Sequence, residues 1–320
     1  MNPIKVGIIG VGRLGAFHAK KYRQLGSCEL VAVADINERR AKKVAKSLGV
    51  DSLTDYRELF DRVEAISIAT PTSTHFDIGK HCLAHGIHTL IEKPLCTTLE
   101  QAEELIETAK KAGVKLQVGH VERFNPAILR ADSLIQKPLF VEVHRLGNFS
   151  KRGTDVDVVL DLMIHDLDLV IHYVNSPVTH VSAAGVPVLT PQGDIANVRL
   201  EFESGCVANL TASRVSKEKT RKFRLFQENG YLSIDLLNHE VTWVKKVERQ
   251  LLGRPIILPR KLKVPPKDAL EEEIASFLKA VKEDGPVRVT GEDGLRALAL
   301  ATTIKEEMLK RLETFQLSHN

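Results

Sequence analysis

The sequence predicts an α/β protein of two domains, in which a doubly wound parallel sheet is followed by an α+β domain with a large, open, mostly antiparallel sheet. In the first third of the chain, short strands that are apolar throughout alternate with helices of ten or more residues. The pattern G-x-G-x-x-G joins the first strand to the first helix. After residue 118 the strands follow one another, and several are joined by hairpin signals such as Asn229-Gly230.

The first domain, residues 1–122, takes its sheet from strands that are apolar from end to end. We predict these strands at residues 4–9, 30–34, 65–69, 88–91 and 115–118. The helices between them are predicted to end at residue 24 and to span 38–48, 74–85 and 99–112. Gly49, Gly86 and Gly113 stand where three of these helices stop. Strands this apolar need a helix layer on both faces, which a parallel sheet provides.

The second domain, residues 123–320, has the shorter connections of an antiparallel sheet. Strands are predicted at residues 139–146, 178–188, 195–203, 206–213, 222–227, 231–235 and 241–247. Helices are predicted at residues 155–173, 268–282 and 292–311. Residues 261–267, which include Pro265-Pro266, are typical of a linker into the closing helices.

The composition of the 320-residue chain argues against several classes of protein. Hydrophobic residues make up 43%, and the net charge of +4 is scattered among both signs, which favours a small anionic ligand over nucleic acid. No apolar run approaches the ~20 residues of a membrane span, and the first residues lack the order of a signal peptide. The four cysteines are far apart and form no CxxC pair, which indicates reduced thiols in the cytoplasm.

The glycine pattern has a physical reason at each position. Gly10 permits a tight turn, Gly12 lets a pyrophosphate approach the backbone, and Gly15 lets the helix pack closely on the strand. Arg13 and Leu14 belong to the same turn, where the N–H groups and dipole of the helix face the diphosphate. This arrangement, between a strand and a helix, predicts a Rossmann dinucleotide-binding domain.

The residue that ends the second strand predicts which dinucleotide binds. The carboxylate of Asp35 can accept both ribose hydroxyls of NAD and would repel the additional phosphate of NADP. Arg39 and Arg40 follow closely and can attract that phosphate, so the sequence favours NAD while leaving NADP open.

The stretch HTLIEKPLC ends an apolar strand in Glu92, Lys93 and Pro94. Ligands of a doubly wound sheet bind beyond the carboxyl ends of its strands, so these residues are expected to face the cofactor. Lys93 brings a positive charge that stabilises a developing oxyanion. Pro94 stiffens the backbone and restricts Lys93 to an extended conformation.

In the second domain, the stretch DLMIHD contains Asp161 and His165 four residues apart, which places them on one helix face. Such a pair is also common on solvated helices. A metal site with Asp166 and Asp168 is not expected, because those carboxylates project around the helix. The histidines at positions 81, 85 and 88 are likewise interpreted as belonging to a solvent-exposed helix face, so no metal is predicted.

The motifs GIIGVGRLG, ADIN, ATPTSTH, IEKPL and DLMIHD, in this order, resemble those of the glucose–fructose oxidoreductase, inositol dehydrogenase and MocA (Gfo/Idh/MocA) family. The resemblance covers nearly the whole chain. The stretch GHVERFNPA is similar to the branch that oxidises UDP-N-acetylglucosamine-type nucleotide sugars at carbon 3. The family implies an NAD-dependent dehydrogenase that acts on CH–OH groups, and a homodimer or homotetramer.

The resemblance also implies roles for individual residues. Lys93, Asp161 and His165 match the catalytic positions: His165 takes the hydroxyl proton, Lys93 bonds the reacting oxygen, and Asp161 orients the imidazole or holds a neighbouring hydroxyl. The cofactor is expected to be lined by Ala69, Thr70, Pro71, His75, Glu92, Lys93 and Pro94. Family members often have a cis bond before the proline, which this sequence permits.

A nucleotide sugar would need cationic groups for its diphosphate. The candidates are Arg123 near the domain boundary, Lys151 and Arg152 before the catalytic helix, and the basic run 217–224. Asn125, beside Arg123, is a further candidate for contact with the substrate, although an ion pair would use the same arginine. Lys151 and Arg152 are expected to be the best placed. A free polyol or aldose is the alternative substrate, and a regulator that binds the dinucleotide without turnover is the alternative from another class.

Overall fold

The computed structural model describes residues 3–150, 157–251 and 254–317. The chain forms two compact units: residues 1–121 with 268–295, and residues 122–267 with 296–320. The division at residue 122 expected from the sequence placed 268–295 in the second domain, and here the structure differs. The physical reason is apolar burial, since Ile274, Phe277 and Leu278 belong to the core of the first unit.

The first unit has the predicted parallel sheet, in the strand order β3-β2-β1-β4-β5-β6. The strands are Ile4–Ile9 (β1), Cys28–Ala34 (β2), Asp51–Leu53 (β3), Ala65–Ile68 (β4), His88–Glu92 (β5) and Leu116–Gly119 (β6). The helices between them are Arg13–Gln24 (α1), Glu38–Leu48 (α2), His75–Ala84 (α3) and Leu99–Ala112 (α4). β1 pairs with β2 on one side and β4 on the other, so the order reverses there and a crevice forms at the strand ends.

The second unit has a larger sheet, in the order β14-β13-β12-β11-β7-β10-β9-β8. The strands are Phe140–Leu146 (β7), Val178–Val186 (β8), Ile195–Phe202 (β9), Val207–Ser213 (β10), Thr220–Gln227 (β11), Gly230–Asp235 (β12), Glu240–Leu251 (β13) and Arg254–Leu262 (β14). β7 and β10 run parallel, and the other neighbouring pairs are antiparallel. The predicted fold class is therefore confirmed for both domains.

Helices complete the two units. Pro126–Ala131 (α5) and Ile164–Val174 (α6) belong to the second unit, and Ala269–Lys282 (α7) to the first. The long helix Gly291–Leu317 (α8) follows. Apolar residues of α6 and of the later part of α8 are buried with those of the large sheet in one core. Among the described helices, none has the length and apolar content needed to cross a membrane.

Two strands differ from the sequence-based assignment. No strand was predicted at β3, because its three residues are too few to show the period of two that is typical of a strand. β14 includes Leu262, which was expected to belong to a linker, and Pro259, which pairs in register with Val244. β14 lies at the edge of the sheet, where a proline without an N–H group is tolerated.

A buried carboxylate organises the loop between β8 and β9. Asp194 accepts hydrogen bonds from the backbone N–H groups of Val188, Leu189 and Thr190 at 2.6–2.8 Å. Arg214 lies 3.8 Å from the same carboxylate. Burial opposes ionisation, but the N–H groups hold the pKa of Asp194 at about 2. The neighbouring carbonyl of Gly193 accepts from the N–H of Val158, so this loop also supports the chain segment that leads into α6.

Replacing Asp194 with Ala is expected to lower the free energy of unfolding by about 2–4 kcal/mol, because three buried N–H groups lose their acceptor. The folded-state pKa is depressed, so the stability from Asp194 is present above the unfolded value of 3.8 and is lost as the pH falls toward 2. Urea denaturation at neutral pH measures the loss. Asp235→Ala is the control, because Asp235 accepts the more exposed N–H groups of Leu237 and Asn238 and is expected to matter less.

Candidate active site

The turn after β1 brings α1 unusually close to the strand. Gly10 has a φ of +82°, and a Cβ there would lie 2.9 Å from the carbonyl oxygen of Ala69. A Cβ on Gly15 would lie 1.8 Å from the carbonyl oxygen of Gly10. Gly12 caps α1 without a side-chain hydrogen bond, and among the described residues nothing lies within 4 Å of a Cβ built there. The first N–H groups of α1 therefore face open space that suits a pyrophosphate.

Asp35, immediately after β2, is fixed on the wall of the same space. Its Oδ2 accepts from the N–H of Val11 at 2.9 Å, and its Oδ1 accepts from the N–H of Asn37 at 2.8 Å. A guanidinium nitrogen of Arg40 lies 3.2 Å from Oδ2. Asp35 is buried, whereas the Arg40 side chain is half exposed. A ligand at this position would therefore meet a carboxylate held in place and a guanidinium group that is free to move.

His75, which was expected to line the cofactor, instead joins two loops. Its Nδ1 lies 2.9 Å from the carbonyl oxygen of Pro94, and its Nε2 lies 2.9 Å from the carbonyl oxygen of Thr70. The residue is buried, which lowers the pKa of the imidazole, although both carbonyl groups oppose that change. His75 is therefore a positioning residue that ties the loop after β4 to the loop after β5.

β5 ends at Glu92 and is followed by Lys93 and Pro94, and the Lys93–Pro94 peptide bond is cis. The Glu92 carboxylate lies 2.8 Å from Nε2 of His18 and accepts from the N–H of Lys93 at 3.3 Å. A Cβ on Gly119 would lie 2.9 Å from this carboxylate, so the glycine at the end of β6 leaves room for it. The buried strand can end in an acid because helix α1 supplies His18 as a partner for the Glu92 carboxylate.

These elements enclose a cavity of about 560 Å³. Of the residues that the sequence predicted to bind the cofactor, ten line this cavity: Gly10, Gly12, Arg13, Leu14, Asp35, Ala69, Thr70, Pro71, Glu92 and Lys93. Gly15, His75 and Pro94, which were also predicted to bind the cofactor, are not among the lining residues. The sequence patterns missed Thr54 and Tyr56, which follow the short strand β3, and Ile36, which is 95% exposed beside Asp35.

The cavity fits a dinucleotide. The uncapped N-terminus of α1 would receive the diphosphate, and the fixed carboxylate of Asp35 would receive a ribose. Glu92 and Lys93 also line the cavity and would face the nicotinamide. The apolar Ile36 would provide a surface for the adenine ring.

In the second unit, the chain enters α6 through a turn of π-helix, Val159–Met163, that contains Asp161. π-turns of this kind are frequent at functional sites. Asp157 stabilises the turn by accepting from the N–H groups of Val159 and Leu160. Asp161 is half-buried, and within residues 163–170 His165 is the one residue that is not buried. Asp161 and His165 are thus the polar residues that this segment leaves accessible.

The other acids of α6 are buried in ion pairs. Asp168 accepts from Nε and Nη2 of Arg123 at 2.6 and 2.8 Å, and Asp166 accepts from Arg145 at 2.7 and 2.8 Å. Arg145 also bonds Glu122 at 3.0 Å. Burial opposes ionisation of Glu122, but the neighbouring guanidinium charges hold its pKa below the usual value. The carboxylates that the sequence raised as metal ligands are held by arginines instead.

Two predicted substrate residues have internal roles. Arg123 is 2% exposed and forms the two-bonded pair with Asp168. Asn125 is 4% exposed, caps α5 through the N–H of Ala127, and donates to Glu122 and to the carbonyl of Leu236. We therefore correct the expectation for both: they hold the second unit together, because burial makes their polar groups seek fixed partners. Lys151 and Arg152 lie outside the described residues.

A second cavity, of about 260 Å³, opens beside Asp161. Its charged lining is mostly cationic: Asp161 is the acid, and the basic residues are Arg145, Arg214, Lys219 and Arg221. Leu162, Leu146 and Leu237 add apolar surface. Lys219 and Arg221 come from the basic run 217–224, which the sequence indicated as a candidate for the diphosphate. The structure places part of that run beside a candidate catalytic residue.

Comparison with known proteins agrees with both units. Residues 4–120 match the model described as "Oxidoreductase family, NAD-binding Rossmann fold", and residues 130–233 match the "GFO/IDH/MocA C-terminal domain". UDP-N-acetylglucosamine 3-dehydrogenase of Acidithiobacillus ferrooxidans is 38% identical over 95% of this chain and 97% of its own length. The chain belongs to the Gfo/Idh/MocA family. The expected family, an NAD-dependent dehydrogenase activity and the cofactor NAD are confirmed.

Other members of the family are also similar. Myo-inositol 2-dehydrogenase of Thermotoga maritima is 28% identical over 95% of this chain and 96% of its own length. The solved structure of the A. ferrooxidans UDP-N-acetylglucosamine 3-dehydrogenase has a TM-score of 0.89 at 37% identity, and covers 96% of this chain and 98% of its own. Levoglucosan dehydrogenase in complex with NADH has a TM-score of 0.85 at 19% identity over 97% and 98% of the two chains, which shows a shared fold.

Cofactor choice is expected to depend on Asp35 and Arg40. NAD is expected to bind at least about tenfold more tightly than NADP, ~1.4 kcal/mol, because the buried carboxylate repels the phosphate. Asp35→Ala removes that repulsion and leaves Arg40 for the phosphate, so the preference should disappear or reverse. Calorimetric titration with both dinucleotides measures it. Arg39→Ala is the control, because Arg39 is exposed outside the cavity. Equal binding of NAD and NADP by the unaltered protein would mean that Arg40 outweighs Asp35.

Proposed function

We propose that the protein oxidises a sugar hydroxyl to a ketone on a nucleotide sugar, and that carbon 3 of a UDP-N-acetylglucosamine-type substrate is the position oxidised. The observation that supports this most directly is the cationic cavity beside Asp161, which suits a diphosphate. The similarity to UDP-N-acetylglucosamine 3-dehydrogenase over 95% of the chain supports the same substrate class.

Three residues are assigned to the chemistry. The imidazole of His165 accepts the hydroxyl proton, because its ordinary pKa is near the working pH. Lys93 donates a hydrogen bond to the oxygen as negative charge develops there. Asp161 orients the imidazole or holds an adjacent hydroxyl. NAD, when bound, would supply the hydride acceptor: the C–H electron pair would leave the carbon with the hydride, and the O–H electron pair would form the second bond of the C=O group.

The cationic cavity separates two candidate substrates. A free polyol has no group that needs two or more guanidinium or ammonium groups, whereas a nucleoside diphosphate has two negative charges. Arg145 is committed to Asp166 and Glu122. Arg221 also lies 3.5 Å from Glu122, but its side chain and that of Lys219 are solvent-exposed, so these two side chains are best able to turn to a ligand. The inositol dehydrogenases among the relatives keep oxidation of a free polyol as the second candidate.

We also propose a reducing, cytoplasmic location and a homodimer or homotetramer. All four cysteines are free, and burial raises the pKa of Cys82 to about 12 and of Cys96 to about 11. Thiols in this state suit a reducing compartment. Sedimentation velocity at micromolar concentration tests the oligomer, and a monomer would contradict it.

Replacing His165 or Lys93 with Ala is expected to lower turnover by about a hundredfold or more, the scale for loss of a general base or a transition-state donor. His165→Ala should change NAD affinity little, because His165 belongs to the second unit and lies outside the cofactor cavity. NADH absorbance with UDP-N-acetylglucosamine measures turnover. His172→Ala, an exposed histidine on the same helix, is the control. Near-normal turnover of His165→Ala at every pH would show that another group is the base.

Replacing Arg221 with Ala is expected to raise the KM for a UDP-sugar about tenfold, ~1.4 kcal/mol, through loss of a cationic partner of the diphosphate. Lys222→Ala is the matched control, because Lys222 is the next residue of β11 and points to the opposite face of the sheet. NAD affinity should be unchanged in both.

UDP alone is expected to compete with the sugar substrate and to raise the Tm of the NAD complex. A panel of UDP-hexosamines, free hexoses and inositols identifies the substrate class by NADH formation. If UDP at millimolar concentration neither inhibits nor stabilises, the nucleotide-sugar proposal fails and oxidation of a free polyol takes its place.

A further inference from the structure

Three buried side chains converge in the first unit, behind the wall of the cofactor cavity. They are His18 of α1, Glu92 of β5 and Glu273 of α7, and their nearest ligand-type atoms all lie within 4.8 Å of one another. His18 and Glu273 are 0% exposed and Glu92 is 6% exposed. Glu92 is the member that also lines the cavity.

The polar atoms of this cluster are unequally satisfied. Glu92 has two donors, His18 and the N–H of Lys93. Among the described residues, neither carboxyl oxygen of Glu273 has a hydrogen-bond partner, and Nδ1 of His18 has none either. Burial, and secondarily the charge of Glu92, raise the pKa of Glu273 well above its usual value. Two ionised carboxylates this close and this buried would repel strongly, so one of them holds a proton.

The geometry favours a proton over a metal ion at this position. Nε2 of His18 and Oε1 of Glu92 are 2.8 Å apart, which is a hydrogen bond. Two ligand atoms of a tetrahedral zinc ion are about 3.3 Å apart, so the metal would have to break that bond. A neutral His18 that donates from Nε2 leaves Nδ1 as a lone pair, which agrees with the absence of an acceptor near it in the described structure.

We propose that Glu273, with His18 and Glu92, forms a buried proton-holding cluster behind the nicotinamide side of the cavity, and that the cluster releases its proton in response to the positive charge of oxidised nicotinamide. Glu92 connects the cluster to the cavity, because it lines the cavity and also lies close to Glu273.

The charge balance is simple. With the cavity free or with NADH bound, Glu273 keeps its O–H bond and the cluster has one negative charge, on Glu92. The nicotinamide ring of NAD⁺ is positive, so a second negative charge behind it becomes less unfavourable. The O–H bond of Glu273 then breaks, the electron pair stays on the carboxylate, and the proton passes to the buffer. Glu273 is a positioning residue in this scheme, since it acts on the cofactor through Glu92.

Few titratable groups face Glu273 in the described part of the first unit. His18 and Tyr22 face it from α1, and Glu92 faces it from β5. Gln117 of β6 is neutral and donates to the backbone carbonyl of Glu273 at 3.4 Å. Burial raises the pKa of Tyr22 far above neutrality, so Tyr22 stays uncharged while the cluster titrates.

The inference needs the NAD-linked chemistry of the proposed function but does not depend on the sugar.

The first test uses the protein without cofactor. Glu273→Gln keeps the shape and mimics the protonated acid. Difference infrared spectra of the unaltered protein should show a protonated carboxylic acid at neutral pH that Glu273→Gln lacks. A carboxyl group whose folded-state pKa is raised gives stability that is present below the unfolded value of 4.5 and is lost as the pH rises. The Tm of Glu273→Gln minus that of the unaltered protein should therefore increase with pH. The increase should be about 3 °C per pH unit over the range in which Glu273 loses its proton.

The second test counts protons on cofactor binding. Calorimetry in buffers of different ionisation enthalpy should show that binding of NAD⁺ releases more protons than binding of NADH, by up to one proton, and that this difference vanishes in Glu273→Gln. Glu272→Gln is the matched control, since Glu272 is the preceding residue of the same helix and outside the cluster. It should keep both the proton release and the stability profile.

Three results would overturn the proposal. The first is the absence of a protonated acid assigned to Glu273 near neutral pH. The second is equal proton release with NAD⁺ and NADH in the unaltered protein. The third is a stoichiometric metal ion, by elemental analysis, that Glu273→Gln loses, which would make the cluster a metal site. Failure of every sugar to react leaves these measurements unaffected, so the two proposals can fail separately.

Discussion

The close approach of α1 to the turn after β1 determines the rest of the cofactor cavity. No side chain fits at Gly15, where a Cβ would meet the carbonyl oxygen of Gly10 at 1.8 Å. The approach directs the N-terminus of α1 at the crevice where the strand order reverses. It also places the N–H of Val11 2.9 Å from Asp35, so one packing constraint positions both the candidate diphosphate site and the candidate ribose acceptor.

Buried charge is the second organising feature, and it works differently in the two units. In the second unit, Arg123 and Arg145 each meet a carboxylate of α6 through two hydrogen bonds, which satisfies the charges of both partners. Such pairs add little net stability but fix geometry, because loss of one partner would leave an isolated buried charge. They hold α6 so that His165 is its accessible residue near the N-terminus. In the first unit, the carboxyl oxygens of Glu273 have no hydrogen-bond partner among the described residues, and the proposed proton would reduce the repulsion between Glu273 and Glu92.

The residues proposed for the chemistry are divided between the two units. The first unit contains the cavity that fits a dinucleotide, with Lys93 in its lining. The second unit contains His165, Asp161 and the smaller cavity beside Asp161. Under the proposed function, substrate class would depend on side chains of that smaller cavity such as Arg221, since a shared fold does not settle it. The names of the relatives, which include a nucleotide-sugar dehydrogenase and inositol dehydrogenases, agree with one fold serving several substrates.

The sequence by itself determined the features that depend on local period and fixed spacing. Apolar strands between helices specify a parallel sheet, the glycines need their backbone geometry, and Asp35 and Lys93 follow strands whose ends meet in one crevice. Only the tertiary structure decided the partners of buried polar groups. Arg123 has the same sequence signature as a substrate ligand or as half of an ion pair, and Glu273 is an ordinary helix glutamate until folding brings it to Glu92. These pairings join segments that are far apart in the chain, and local sequence contains no signal for which distant group will satisfy a buried charge.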